Sequence, residues 1–202
     1  MDKGRLFVVS GPSGAGKGTI CQKLVEDRNI ELSVSMTTRA PRSFENHGVN
    51  YYFVSKDEFQ DTIADDGLLE YAEVYGNYYG TPKNMVLEKL NQGRDVVLEI
   101  DIQGAMKVKQ AYPKGVFIFI LPPSMAELRK RITGRGSETE AAINMRLGET
   151  LKEVAYIDKY DYCVVNGELS EAVERVRAIV TAEHSRVSES IRHLIKKYEE
   201  EI

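Results

Sequence analysis

Residues 5–19 read RLFVVSGPSGAGKGT, and their reading decides the fold. Arg5 to Ser10 is a short apolar run of strand-forming residues, so it predicts a buried β-strand. Gly11, Pro12, Ser13, Gly14, Ala15 and Gly16 then predict a loop, and Lys17 to Asp27 a helix with Ile20, Leu24 and Val25 on one side. Up to Lys17 the loop fits G-x-x-x-x-G-K. Its glycines let successive backbone N–H groups turn inward around phosphate oxygens, the helix behind points its positive end at them, and Lys17 adds a full charge. An ordinary glycine-rich turn is the plainer reading, but strand, spacing and lysine together weigh against it. One position departs from the pattern. Where a magnesium-binding Ser or Thr is usual, this chain has Gly18, with Thr19 one step late.

Such a strand, loop and helix need a sheet to sit in, and the rest of the chain supplies one. Asp95 to Ile102 and Gly115 to Leu121, rich in Val, Ile and Phe, predict buried strands, and Tyr162 to Val165 a last one before Asn166-Gly167. Ser124 with Glu127 is a capping-box signature for a helix through Thr133, Ser137 with Glu140 repeats it, and Ser170 predicts the cap of a helix to about His184. Strands alternating with helices argue for an α/β fold, a mostly parallel sheet core flanked by helices. Residues 34–90 break the alternation. They hold Arg39, Arg42 and the tyrosines Tyr51, Tyr52, Tyr71, Tyr75, Tyr78 and Tyr79, and read as an inserted polar subdomain rather than a crossover helix. Residues 185–202, with Val187, Ile191, Leu194 and Tyr198 at helical spacing, read as an amphipathic extension.

Composition limits what the loop can serve. A chain of 202 residues, 42% hydrophobic, can bury a sizeable core. Its net charge of -4 and pI near 5.6 give no global attraction for nucleic acid or an acidic membrane, so an anion site must be built locally. Cys21 and Cys163 lie far apart and form neither a disulfide framework nor a zinc pattern, which points to a reduced, cytoplasmic setting. The apolar run Leu6 to Val9 is too short for a signal-peptide core, and no run reaches the roughly 20 residues a spanning helix needs.

Two further groups carry chemistry. Glu99 and Asp101 close the predicted strand VVLEIDIQG; two positions apart, they should share a face near the sheet's C-terminal edge, where an acid can hold magnesium through its waters. Two solvated acids are the plain alternative. Arg131, Arg135 and Arg146 flank a Gly134-Arg135-Gly136 hinge between two capped helices, as a flap bringing guanidinium groups over a phosphate would need, although charge runs on helices are usually solvated faces.

In this order, GPSGAGKGT, SVSMTTRAPR, GVNYYFVSKDEF, LLEYAEVYGNYYGTP, LEIDIQG and GRGSETEAAINMRL resemble the guanylate kinase family, from about Arg5 to Glu183. The resemblance implies a P-loop core (1–33, 91–124 and 158–184), a GMP-binding insert (34–90), a mobile helical lid (125–157) and, outside it, the extension 185–202. It implies transfer of the terminal phosphoryl of ATP to GMP, and to dGMP as well, with Mg²⁺. Loop residues Gly11 to Thr19 and Asn166 would bind ATP. Arg39, Arg42, Tyr51 and Tyr79 would take the GMP phosphate, Ser35, Glu70 and Thr81 the base, and Glu99 and Asp101 would complete that site. Lys17, Arg131, Arg135, Arg146 and Asp101 would be the catalytic set. Guanidinium forks and phenolic hydroxyls suit a dianion, and one carboxylate, Glu70, can accept from guanine's N1–H and amine together.

The chain departs from the family's usual pattern at Tyr71, often Trp, at Glu99, Asp in some members, and at Gly18. Magnesium keeps several waters readily, so phosphates and waters can hold it with Asp101 steadying the waters, and no hydroxyl at position 18 is required. Thr19 is expected to serve an α-phosphate oxygen instead. Two rivals stay open: a non-catalytic scaffold that binds phosphorylated partners through the GMP pocket, and a kinase for AMP or a pyrimidine monophosphate. A homodimer is also left open.

Overall fold

In the computed structural model, which describes residues 3–26, 29–74, 76–133, 140–187 and 189–201, the first strand β1 (Leu6–Ser10) lies at the centre of a five-stranded sheet. After the loop come α1 (Lys17–Leu24) and a short strand β2 (Ile30–Leu32). A second region follows: β3 (Met36–Thr37), β4 (Tyr52–Phe53), α2 (Lys56–Ala64), β5 (Leu68–Val74) and β6 (Asn77–Pro82). The chain returns to the first sheet through α3 (Lys83–Asn91), β7 (Asp95–Glu99), α4 (Ile102–Ala111) and β8 (Val116–Leu121). It ends with α5 (Met125–Thr133), α6 (Glu140–Val154), β9 (Tyr162–Val165), α7 (Leu169–His184) and α8 (Glu189–Glu200).

The first sheet runs β2-β7-β1-β8-β9, all its pairs parallel. A parallel sheet needs crossover helices and so is covered on both faces, which is why its strands read as unbroken apolar runs. Strand alternation sorts them. Phe7, Val9, Val97, Ile118 and Ile120 pack with Ile20, Leu24, Val176 and Val180 of α1 and α7 on one face. Leu6, Val8, Val96, Leu98 and Phe117 pack with Val86, Leu90 and Val108 of α3 and α4 on the other. Each such side chain, fully buried, contributes on the order of 1.5–3 kcal/mol. A third, small cluster of Leu128, Ile132 and Ile143, with Leu147 against it, belongs to α5 and α6 alone.

The second sheet runs β4-β3-β6-β5, antiparallel where β6 meets β3 and β5. Phe59 of α2 is fully buried beneath it and stacks on Tyr78, ring centroids 5.4 Å apart. The helix is started by Ser55, whose hydroxyl accepts from the Glu58 N–H at 3.1 Å. The stretch 34–90 therefore holds this sheet and most of α3, a helix that packs on the first sheet.

Several local expectations change. The first helix ends at Leu24, and Asp27 lies outside the described residues, as do Tyr75, Ser137 and the Gly134-Arg135-Gly136 hinge. The helix at 169 starts one residue before Ser170, with Glu168 at its N-cap and no side-chain cap bond, so Ser170 is not the cap. The strand expected from Asp95 to Ile102 stops at Glu99. Asp101 is instead the N-cap of α4, its Oδ1 accepting from the Gly104 N–H at 2.7 Å. Ile102, Ala105 and Val108, at helical spacing on the buried side of α4, explain why this segment leaves the sheet. Glu99 and Asp101 thus do not share a strand face; a strand end and a helix cap aim them.

Candidate functional site

The loop between β1 and α1 is built from backbone. Gly16, the N-cap of α1, has φ 94° and ψ 18°, a left-handed conformation that suits glycine, and a Cβ there would stand 2.3 Å from Asn166 Nδ2. That amide donates to the Ala15 carbonyl at 2.8 Å, so Asn166, expected as an ATP ligand, also pins the loop from β9's end. The first turn of α1 carries no acid, which leaves its positive end uncompensated there. Lys17 Nζ donates to the carbonyls of Gly11 at 2.6 Å and Pro12 at 3.0 Å, holding the ammonium against the loop. Burial lowers its pKa, and Glu99, Glu153 and Asp101 oppose that shift.

Two hollows hold expected residues, and the second is lined in part by the loop. One, of about 270 Å³, is lined by Ser35, Tyr51, Glu70, Tyr79, Glu99 and Asp101, with Gly80 and Ile100 between them. The other, of about 300 Å³, is lined by Gly14, Gly16, Thr19, Arg131, Asn166 and Gly167. The expected residues thus divide between a hollow against the second sheet, which holds those the resemblance gives to the acceptor GMP, and one against β9, which holds those it gives to the donor ATP; they are called the acceptor and donor sides below.

On the acceptor side, the pairing of β5 with β6 sets Thr81 opposite Glu70, and the Thr81 hydroxyl donates to Glu70 Oε1 at 2.7 Å. Burial raises the Glu70 pKa and this hydrogen bond lowers it, with the net shift upward. Tyr51 and Tyr79 meet edge to face, centroids 5.9 Å apart, and the Arg39 guanidinium lies 5.6 Å from the Tyr51 centroid. Burial also raises the Tyr51 hydroxyl. Arg42 is exposed and does not line the hollow.

Glu45 was not foreseen. It forms a 2.8 Å ion pair with Arg39 and accepts from the Arg42 N–H at 2.8 Å, in a turn closed by its own N–H on the Arg42 carbonyl at 3.0 Å. The hydrogen bond from Arg39 holds the Glu45 carboxyl below its usual range. An acid three residues after an arginine in APRSFE was the available signal.

On the donor side, Arg131 Nε pairs with Glu127 at 3.0 Å, one turn earlier on α5, and its Nη2 donates to the Asn166 carbonyl at 3.0 Å. Arg146 of α6 donates to Ser13 Oγ of the loop at 3.1 Å. Arg135 lies outside the described residues. Arg129 ties α6 to α5 through Asn144, at 3.0 Å, and Glu140. A second unforeseen acid is Glu153, two turns beyond Arg146 on the same face of α6, whose charge is felt at Lys17. With Asp101, Glu149 and Lys152 it lines a further hollow of about 230 Å³. Among the described residues no group of three His, Cys, Asp or Glu side chains could hold a metal ion.

The guanylate kinase family model matches residues 3–183. A guanylate kinase of Clostridium acetobutylicum is 58% identical over 185 residues, covering 92% of this chain and 88% of its own. A guanylate kinase of Caldanaerobacter subterraneus subsp. tengcongensis is 53% identical over 201 residues, covering 99% and 98%. The crystal structure of guanylate kinase from Anaplasma phagocytophilum superimposes with a TM-score of 0.73 at 36% identity, covering 92% of this chain and 89% of that one.

Proposed function

The chain belongs to the guanylate kinase family, and from that premise we propose how its residues divide the work of an ATP:GMP phosphotransferase. It is an ATP-dependent kinase that converts GMP and ATP to GDP and ADP. GMP occupies the hollow against the second sheet and ATP the hollow against β9, so that their phosphates meet over the loop. The observation that carries this reading is Glu70, a carboxylate set into the acceptor hollow and hydrogen-bonded by Thr81 at 2.7 Å. Guanine offers N1–H and an amine side by side to such an acceptor, with O6 for the hydroxyl of Ser35, while Thr81 serves the base through Glu70, to which its one hydroxyl proton is given. Adenine presents an acceptor where guanine has a donor, so the AMP reading loses. The non-catalytic scaffold reading has nothing in its favour.

Arg39, Tyr51 and Tyr79 take the GMP phosphate, and Arg42 turns in from its exposed position to join them. Glu45 positions the Arg39 fork, its 2.8 Å ion pair fixing one edge of the guanidinium and leaving N–H groups for phosphate oxygens. Direct in-line transfer needs no protein nucleophile. Catalysis is then positioning by the two hollows and neutralisation of moving charge by Lys17, Arg131, Arg146 and Arg135. The pair α5 and α6 acts as a lid over the donor side, since Arg146 already reaches Ser13.

Mg²⁺ fits this donor set. Glu99 and Asp101 offer hard carboxylate oxygens beside the loop, and the space in front of Gly18 is one that a Cβ would crowd. With ATP, Mg²⁺ would supply neutralisation of phosphate charge, and Asp101, with one oxygen committed to its helix cap, would offer the other to the metal's waters. Both cysteines are free, which suits the cytoplasm, and no helix among the described residues is long and apolar enough to cross a membrane. A net charge of -4 offers nucleic acid nothing, and exposed Ile191, Leu194 and Tyr198 along α8 are compatible with a homodimer.

A coupled assay of ADP release with GMP, dGMP, AMP, CMP and dTMP tests the reading. GMP is expected to be the preferred acceptor, with dGMP used as well. Equal turnover of AMP and GMP would overturn the role given to Glu70.

A further inference from the structure

In the proposed reading Glu70 recognises guanine, and it does so from a strand that its own sheet pairs on one side only. β5 is the edge of the second sheet. Between Leu68, opposite Pro82, and Glu70, opposite Thr81, its register against β6 shifts by one residue, an irregularity that interrupts the ladder beside the residue whose aim matters. The strand takes its further support from α4, which packs against it, and Leu69 is buried with Ala105 and Val108 of that helix. A Cβ on Gly104 would stand 3.1 Å from Glu70 Oε2, so the glycine leaves room for the carboxylate. Three residues on, a spacing that keeps to one side of a helix, Lys107 Nζ donates to the carbonyl of Tyr71, the residue next to Glu70. The same ammonium lies 5.2 Å from the centroid of the Tyr71 ring. Its charge is felt at the Glu70 carboxylate, where it opposes the effect of burial.

We propose that Lys107 is a positioning residue for guanine recognition: by tying the Tyr71 carbonyl to α4 it holds Glu70 in line with the base's two adjacent donors, and so sets how strongly a purine carrying the amine is preferred. The inference rests on the reading of Glu70 as the guanine acceptor, and it extends that site to a residue that lines neither hollow. A lysine has three donors and no acceptor, so one ammonium can serve the carbonyl and the ring of Tyr71 together. Lys107 is exposed, and a long side chain held at an exposed site yields a modest gain, smaller than that of Glu70 itself. The gain is selective. When Glu70 swings off line, guanine loses two contacts, whereas hypoxanthine, which has N1–H and O6 but no amine, loses one. General support of the fold would serve both bases alike.

The test compares the affinities of GMP and IMP, whose base is hypoxanthine, by calorimetry, with kcat for GMP measured alongside. Lys107→Met keeps a long unbranched side chain of good helix propensity and removes its charge and donors. It is expected to weaken GMP about fivefold and IMP by less than about twofold, with kcat and ATP affinity within about twofold of the wild type. Lys107→Arg keeps the charge and donors and should hold the preference for GMP over IMP within about twofold of the wild type. In a Glu70→Gln background Lys107→Met should cost GMP less than about twofold, because the carboxylate it aims is gone. Equal losses for GMP and IMP, the same loss in both backgrounds, no loss at all, or an arginine variant as impaired as the methionine one would each overturn the proposal. Those results leave Glu70 its role as long as Glu70→Gln alone weakens GMP. A Glu70→Gln variant with unaltered GMP affinity would remove that role and the proposal with it. A thermal melt of each variant confirms that the fold is retained.

Discussion

In the proposed reading the phosphate loop and the acceptor hollow both receive phosphate, and they are made of different material. The loop uses one continuous segment, Gly11 to Thr19, in which backbone N–H groups, a helix end and one lysine would do the binding. The acceptor hollow draws Ser35, Tyr51, Glu70, Tyr79 and Asp101 from separate elements, and its donors and acceptors are side chains. A backbone site recognises what every nucleoside triphosphate shares, whereas a side-chain site can tell one base from another. On this reading the donor end is generic and the acceptor end selective.

This contrast can be broken at its strongest point first. Lys17→Ala removes the only full charge the loop owns, and kcat should fall on the order of 100-fold or more, since a charge that gains strength in the transition state is worth several kcal/mol in a dry site. The loss should be equal for GMP and dGMP. A variant keeping a tenth of wild-type turnover would mean that the backbone alone suffices.

Glu70→Gln sharpens the other half. The amide keeps the shape but turns half of the acceptor toward guanine's donors with a donor of its own, so kcat/KM for GMP should fall by on the order of 2–4 kcal/mol while ATP affinity holds. Parallel losses for ATP and GMP would erase the distinction between the two sites.

The smallest effect is one of pH. Burial raises the Glu70 pKa, so as pH falls from neutral its carboxylate is lost sooner than an ordinary glutamate's, and with it the acceptor for guanine. The GMP phosphate also titrates in mildly acid solution, so the useful quantity is the ratio of wild-type to Glu70→Gln affinity for GMP. That ratio should shrink as pH is lowered toward the usual carboxylate range, and begin shrinking above it. A ratio constant down to that range would place Glu70 away from the base.

The same contrast explains what could be read in advance. The loop, β9 from Tyr162 to Val165 and the Ser124 cap of α5 follow from neighbours in sequence, and the structure has them. The acceptor residues came from family resemblance, because strand register sets Glu70 opposite Thr81, and a two-residue strand such as Met36–Thr37 leaves almost no periodic trace. Asp101 was misread because Ile102 extends an apolar run that looks like strand until α4 claims it. Glu153 passed unseen because it matters through a charge, that of Lys17, which the fold and not the sequence sets beside it, whereas Glu45, three residues after Arg42, had a local signal.

The small cluster of Leu128, Ile132, Ile143 and Leu147 has a consequence beyond packing. It is separate from the two clusters that sandwich the sheet, so α5 and α6 own a private, thin store of cohesion. Regions with little shared core open at lower free energy than the whole molecule melts, in cooperative units of their own. Amide protons of these two helices should therefore exchange with solvent deuterium as a separate, faster class than those of β1, β7 and β8. A nucleotide clasped by Arg131 and Arg146 would slow that class alone, so exchange would report occupancy of the donor side while the sheet beneath stays silent.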